Sequence, residues 1–132
     1  RVGYGAFPSW LMPILWKAKQ PYNVNVAASA AAIAARDDVD YLQKVVAQLV
    51  EGRKRLFNAL NNIAWLAPYS SNSNFVLCRV HGRDAAKLKA DLASEHGIFI
   101  RYFNKPGLDD HVRISVGKPE QVDVLLKALK SM

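Results

Sequence analysis

Residues 97–117 read GIFIRYFNKPGLDDHVRISVG, and this stretch decides how the rest of the chain is arranged. It has the form of two short strands around a loop. In the first, Ile98, Ile100 and Tyr102 point one way and Phe99, Arg101 and Phe103 the other. In the second, Val112, Ile114 and Val116 share one face, and His111, Arg113 and Ser115 the opposite one. If the Ile and Val rows form the buried face of a hairpin, Arg101 and Arg113 emerge together on the other. A register symmetric about Gly107 sets them directly opposite, where like charges repel. Two readings follow. An anion sits between the arginines, or Asp109, Asp110 and solvent deal with both charges. The alternation alone leaves the second ahead.

Outward from this stretch the pattern extends to a small α/β unit. Upstream, residues 75–80 (FVLCRV) read as a strand, His81-Gly82 as a turn, and Arg83 to His96 as a helix stopped by Gly97. Downstream, Pro119 suits the first turn of a helix whose buried face carries Val122, Leu125, Leu126 and Leu129. The order strand, helix, strand, strand, helix predicts a small sheet with helices packed on it.

Before this unit the chain is mostly helical. Leu42, Val46, Leu49, Leu56, Leu60 and Ile63 make one apolar stripe, predicting a long core-facing helix from Val39 to Asn62, weakened slightly by Gly52. Asp38 is its candidate cap. Asn25 caps an alanine-rich helix, Val26 to Arg36, and Gln20 to Asn25 reads as an extended linker. Ser9 is a candidate cap for a helix carrying Trp10, Leu11, Ile14, Leu15 and Trp16, which Pro13 forces to start late or kink. Its two tryptophans suggest a large packing surface or an interface. Val2 to Gly5 is a candidate strand, and Ala64 to Asn74 a loop.

Composition bounds the function. The chain has 132 residues, 51% of them hydrophobic, enough for one compact domain or the larger part of one. No apolar run reaches the length of a membrane span. The start at Arg1, inside a glycine-rich phrase, suggests a piece of something longer. The single cysteine, Cys78, lies in an apolar run and reads as a buried small hydrophobe. The net charge of +7 raises nucleic acid as a partner, but the basic residues are scattered and Arg53-Lys54-Arg55 is their one run. His81, His96 and His111 are each isolated, which favours surface or capping roles over metal binding or catalysis. Asp37-Asp38 and Asp109-Asp110 fit turn and cap chemistry. No phosphate-loop, nucleophile-elbow or dinucleotide motif is present. Recognition of an anion by arginine remains, since the planar guanidinium makes two parallel charge-assisted bonds to phosphate or carboxylate.

Several phrases together resemble one family. Arg1-Val2-Gly3-Tyr4-Gly5 is similar to the end of the pyridoxal-phosphate motif of fold-type I aminotransferases. Pro21-Tyr22-Asn23-Val24-Asn25, Ser73-Asn74-Phe75-Val76-Leu77, Gly97-Ile98-Phe99-Ile100-Arg101 and Val112-Arg113-Ile114-Ser115-Val116-Gly117 resemble the histidinol-phosphate aminotransferase branch, plant-type in wording. The likeness runs over essentially the whole chain, in the family's order. The ending Gly117-Lys118-Pro119-Glu120-Gln121 departs modestly from the commoner one.

The resemblance implies an α/β fold: the C-terminal part of a pyridoxal-phosphate-dependent transferase, with a long connecting helix and a small α/β domain. Residues 1–38 would end the large cofactor-binding domain, 39–63 form the connecting helix, and 64–132 make the small domain. It implies that Arg1 binds the cofactor phosphate and that Arg101 and Arg113 bind the substrate phosphate, which turns the balance toward the anion reading above. The Schiff-base lysine lies upstream, so no catalytic residue falls in this chain and the piece alone is expected to be inactive. Lys17 and Lys19 do not fit the motif. The implied complete enzyme is a homodimer that uses pyridoxal 5'-phosphate and moves an amino group between glutamate and imidazole-acetol phosphate, in the chloroplast if the source is a plant and in the cytoplasm otherwise. No metal, nucleic acid or membrane is implied. The alternatives are another class I/II aminotransferase, or a non-enzymatic domain that binds an anion or nucleic acid.

Overall fold

The computed structural model describes residues 2–132. The chain divides into two compact units, Arg1–Lys44 and Val45–Met132.

The first unit is helical. Residues 2–8 carry no regular structure, so the strand expected over Val2 to Gly5 is not formed. A strand needs a neighbour for its backbone groups, and no described strand pairs with this segment. Helix α1 spans Met12–Ala18, with Pro13 in its first turn. It therefore starts late, as the proline requires, and Leu11 takes the cap position in place of Ser9. Gln20 to Asn25 is not uniformly extended, because Tyr22 turns the chain with φ of 57°. Helix α2 spans Val26–Asp37, and Asn25 accepts a hydrogen bond from the Ala28 N–H at 2.8 Å. Neither helix buries a residue, and Trp10 and Trp16 are largely exposed.

Helix α3 spans Val39–Asn61. Asp38 accepts from the Tyr41 N–H at 3.2 Å, the cap expected of it. The apolar stripe does two different things along its length. Leu56, Leu60 and, just past the helix end, Ile63 are buried, whereas Leu42, Val46 and Leu49 are exposed. The sheet and helices of the second unit cover only the C-terminal part of the stripe. Gly52 has a packing reason: a Cβ there would come within 3.0 Å of Val116 Cγ1.

The second unit holds a four-stranded antiparallel sheet in the order β1-β2-β4-β3. The strands are β1 (Leu66–Pro68), β2 (Phe75–Val80), β3 (Arg101–Tyr102) and β4 (His111–Ser115), with helix α4 (Ala85–His96) after β2 and helix α5 (Pro119–Ser131) last. Strand β1 falls inside the expected loop. It is a three-residue edge strand ending in proline, a residue tolerated there because an edge leaves one row of backbone groups unpaired. Asp84 caps α4 by accepting from the Ala86 and Lys87 N–H groups. Gly97 ends it in the left-handed conformation, φ 65°, and the Ile98 N–H bonds to the Leu92 carbonyl. That closure launches the chain toward β3.

One face of the sheet is the core. Leu66, Val76, Cys78, Val80, Val112 and Ile114 pack against Leu56 and Leu60 of α3, Leu88 and Leu92 of α4, and Leu125 and Leu129 of α5. By the period-two alternation of strands, Phe75, Leu77, Arg79, His111, Arg113 and Ser115 belong to the other face. All three helices lie on the core side, so that second face is the one left for a site.

Candidate functional site

The register of β3 with β4 pairs Arg101 with Arg113 and Tyr102 with Val112. The register of β2 with β4 pairs Leu77 with Arg113, and the Tyr69 N–H bonds to the Leu77 carbonyl just beyond β1. One row across the sheet therefore reads Arg101, Arg113, Leu77, Tyr69. The two arginines are directly opposite on the non-core face, as a hairpin symmetric about Gly107 predicts.

Their charges are not handled by the nearby aspartates. Asp110 is committed to Arg79, with Nε to Oδ2 at 2.6 Å, and its other oxygen lies 2.5 Å from His111 Nδ1, without the alignment of a hydrogen bond. Among the described residues, neither Arg101 nor Arg113 forms a salt bridge with Asp109 or any other carboxylate. The Arg113 Nε is buried without a hydrogen-bond partner. Each guanidinium instead lies over an aromatic ring: Arg113 over Phe75 at 5.0 Å from the ring centre, and Arg101 over Phe103 at 5.6 Å. Two cationic forks on one face with no carboxylate between them suit a phosphate or carboxylate ligand.

The roles of four neighbours, His111, Tyr69, Phe75 and Phe103, went unread in the sequence. His111 is buried, contrary to the surface role expected of it. Its ring stacks on Tyr69, centres 5.7 Å apart and planes 20° apart, and Nε2 lies 3.2 Å from the Tyr69 hydroxyl. Phe75 and Phe103 support the arginines. The signal available for the two phenylalanines was their position, Phe103 two residues past Arg101 and Phe75 at the head of the neighbouring strand. Nothing short of the β1 register could have brought Tyr69 to His111. The bond from Arg79 holds the Asp110 carboxyl below the usual carboxylate range, so the Arg79–Asp110 pair stays ionised and braces the end of the β3–β4 loop.

Other concavities do not contain the arginine pair. An apolar groove between α3 and the β4–α5 turn is lined by Leu49, Gly52, Val116 and Pro119, among others. No group of three or more metal-ligating side chains occurs among the described residues. Arg1, which the resemblance assigns to the cofactor phosphate, lies outside the described residues. The arginine pair supplies none of the groups that the resemblance assigns to the cofactor ring.

Comparison with known proteins places the chain in a family. The family described as aminotransferase class I and II matches residues 1–129. The chain belongs to this family. Among curated relatives of this aminotransferase chain, the chloroplastic histidinol-phosphate aminotransferase of Nicotiana tabacum is 54% identical over 131 residues, covering 98% of this chain and 32% of the relative. The histidinol-phosphate aminotransferase of Roseiflexus castenholzii is 49% identical, covering 100% of this chain and 36% of the relative. Among solved structures, that of the histidinol-phosphate aminotransferase from Clostridium acetobutylicum superposes with a TM-score of 0.76 at 36% identity, over 87% of this chain and 35% of that one. The enzyme from Sinorhizobium meliloti, solved with pyridoxal-5'-phosphate, gives 0.74 at 33% identity, over 89% and 32%. The chain thus spans about a third of the length of the curated relatives it matches. The expected mixed α/β fold of a class I/II aminotransferase is the one found. The Nicotiana and Arabidopsis relatives are named chloroplastic, and no helix among the described residues is long and apolar enough to cross a membrane.

Proposed function

We propose that this chain is the substrate-anchoring portion of a histidinol-phosphate aminotransferase, which moves an amino group between glutamate and imidazole-acetol phosphate in histidine biosynthesis. The observation that carries this reading is the Arg101–Arg113 cross-strand pair, free of carboxylates and set in a chain about half identical to relatives of that name. In the complete enzyme Arg101 and Arg113 hold the substrate phosphate, and Arg1 holds the phosphate of pyridoxal 5'-phosphate. Residues 1–38 end the cofactor domain, 39–63 connect, and 64–132 form the small domain. The complete enzyme is a homodimer, chloroplastic if its source is a plant.

When bound, the cofactor supplies the electron sink for the chemistry at the substrate's reacting carbon. The described residues act at the other end of the substrate. Their two guanidiniums fix the phosphate in place, which limits how the reacting carbon can be presented. The sheet behind them is packed on its core side against α3, α4 and α5, which gives the anchor a buried support. The cofactor-bearing lysine is not among these residues, and the isolated piece is inactive. Transamination by the purified piece would overturn that statement.

The test is substrate discrimination by the full-length enzyme. We expect kcat/KM for the phosphorylated substrate to exceed that for its dephosphorylated counterpart and for aromatic 2-oxo acids. A preference for a phosphate-free substrate would point instead to another class I/II aminotransferase.

A further inference from the structure

The two arginines are cross-strand partners, and among the described residues no carboxylate forms a salt bridge with either. Their rings show how the fold manages this. Phe75 pairs with Ser115, so from Arg113 it lies diagonally, toward the C-terminal end of β4. Phe103 lies two residues beyond Arg101 and just past the end of β3. In the antiparallel register that is toward the N-terminal end of β4, where His111 stands. The two guanidiniums are therefore drawn over their rings in opposite directions along the strands, although their Cα atoms are cross-strand partners. Diagonal neighbours on one sheet face are within reach of aromatic and long side chains, and the negative face of a phenyl ring attracts a cation.

We propose that Phe75 and Phe103 are positioning residues that splay Arg113 and Arg101 apart and so set the width of the anion site. Unsplayed, two like charges on opposed residues would separate by swinging into solvent, and the fork presented to a phosphate would be lost. Held over the rings, each guanidinium keeps a fixed plane and leaves its N–H edges free for the ligand. The Arg113 Nε, buried without a partner, fits this arrangement: its side chain is directed by the ring and not by a hydrogen bond. This inference rests on the proposed role of the arginine pair in holding the substrate phosphate.

The test keeps the shape of the ring and drains its charge. In the full-length enzyme, phenylalanines bearing one, two or three ring fluorines are placed at position 75, and separately at 103. KM for the phosphorylated substrate is measured beside kcat, together with competitive inhibition by inorganic phosphate. The expected result is a graded rise in KM and in the phosphate inhibition constant, reaching about three- to tenfold, with kcat nearly constant. Phe75→Leu should reproduce the full effect, and Phe75→Trp should restore binding. Arg113→Ala in the same assay separates the two claims. If Arg113→Ala raises KM while the fluorinated series stays flat, the rings act by bulk alone and this inference falls while the substrate role stands. If Arg113→Ala itself leaves KM unchanged, the substrate role falls and this inference with it.

Discussion

Replacing Arg113 by alanine in the full-length enzyme should weaken binding of the phosphorylated substrate and leave the fold almost untouched. The structure separates the two effects. On the binding side, the lost fork makes up to two charge-assisted hydrogen bonds, each worth about 1.5–3 kcal/mol. Arg101, directly opposite, retains part of the attraction. A net loss of about 2–3 kcal/mol is then reasonable, a rise in KM of roughly 30- to 150-fold. On the stability side, Arg113 makes no salt bridge among the described residues, and its buried Nε is unpartnered. Its removal costs a ring contact of about 0.5–1 kcal/mol. It also relieves a like-charge cross-strand pair, an effect of about 0.2–1 kcal/mol in the opposite sense. The two nearly cancel. Steady-state kinetics and thermal unfolding of the same preparation check both halves. An unchanged KM would refute the reasoning, and so would a rise in KM matched by a large fall in Tm, because the arginine would then be structural.

Three further outcomes follow from the second unit. Burial pushes the Cys78 thiol up to about 12, so a maleimide should not label it in the native enzyme at pH 8 but should label it on unfolding; fast native labelling would contradict its place in the core. Leu60 is fully buried between α3 and the sheet, and Leu60→Ala should cost about 2–5 kcal/mol in denaturant unfolding; a loss below 1 kcal/mol would mean that the helix does not pack as described. The bond from Arg79 lowers the Asp110 carboxyl, so the stability it contributes is present above the ordinary carboxylate value and lost as pH falls through the depressed folded value. Asp110→Asn should therefore lower Tm near neutrality and flatten the acid limb of the Tm–pH curve, and an acid limb identical to wild type would remove the pair from the account.

How much of this was legible beforehand differs from element to element. The hairpin register was readable because alternation fixes the faces and the loop is symmetric about Gly107, which takes the left-handed φ of 79° that glycine tolerates. Strand β2, the Asp84 cap and the Gly97 stop were readable because each depends on its own few residues. Strand β1 was not, since three residues ending in proline carry no period and become a strand only by lying beside β2. The exposure of Leu42, Val46 and Leu49 was hidden for a related reason: a helical stripe predicts burial but not what covers it. The site divides the same way. The arginines announced themselves by breaking an apolar alternation. Phe103 already shared Arg101's face in the alternation, whereas Phe75 looked like an ordinary strand residue until the register set it diagonal to Arg113, and His111 looked exposed until Tyr69 arrived from across the sheet. The family resemblance implied a phosphate as the anion, but the direction in which each guanidinium leans came only from the structure.

The most direct measurement is a crystal structure of the full-length enzyme with histidinol phosphate bound. Phosphate oxygens should lie about 2.7–2.9 Å from nitrogens of both Arg101 and Arg113, with each guanidinium still over its ring. A phosphate seated out of reach of Arg113 would contradict this placement.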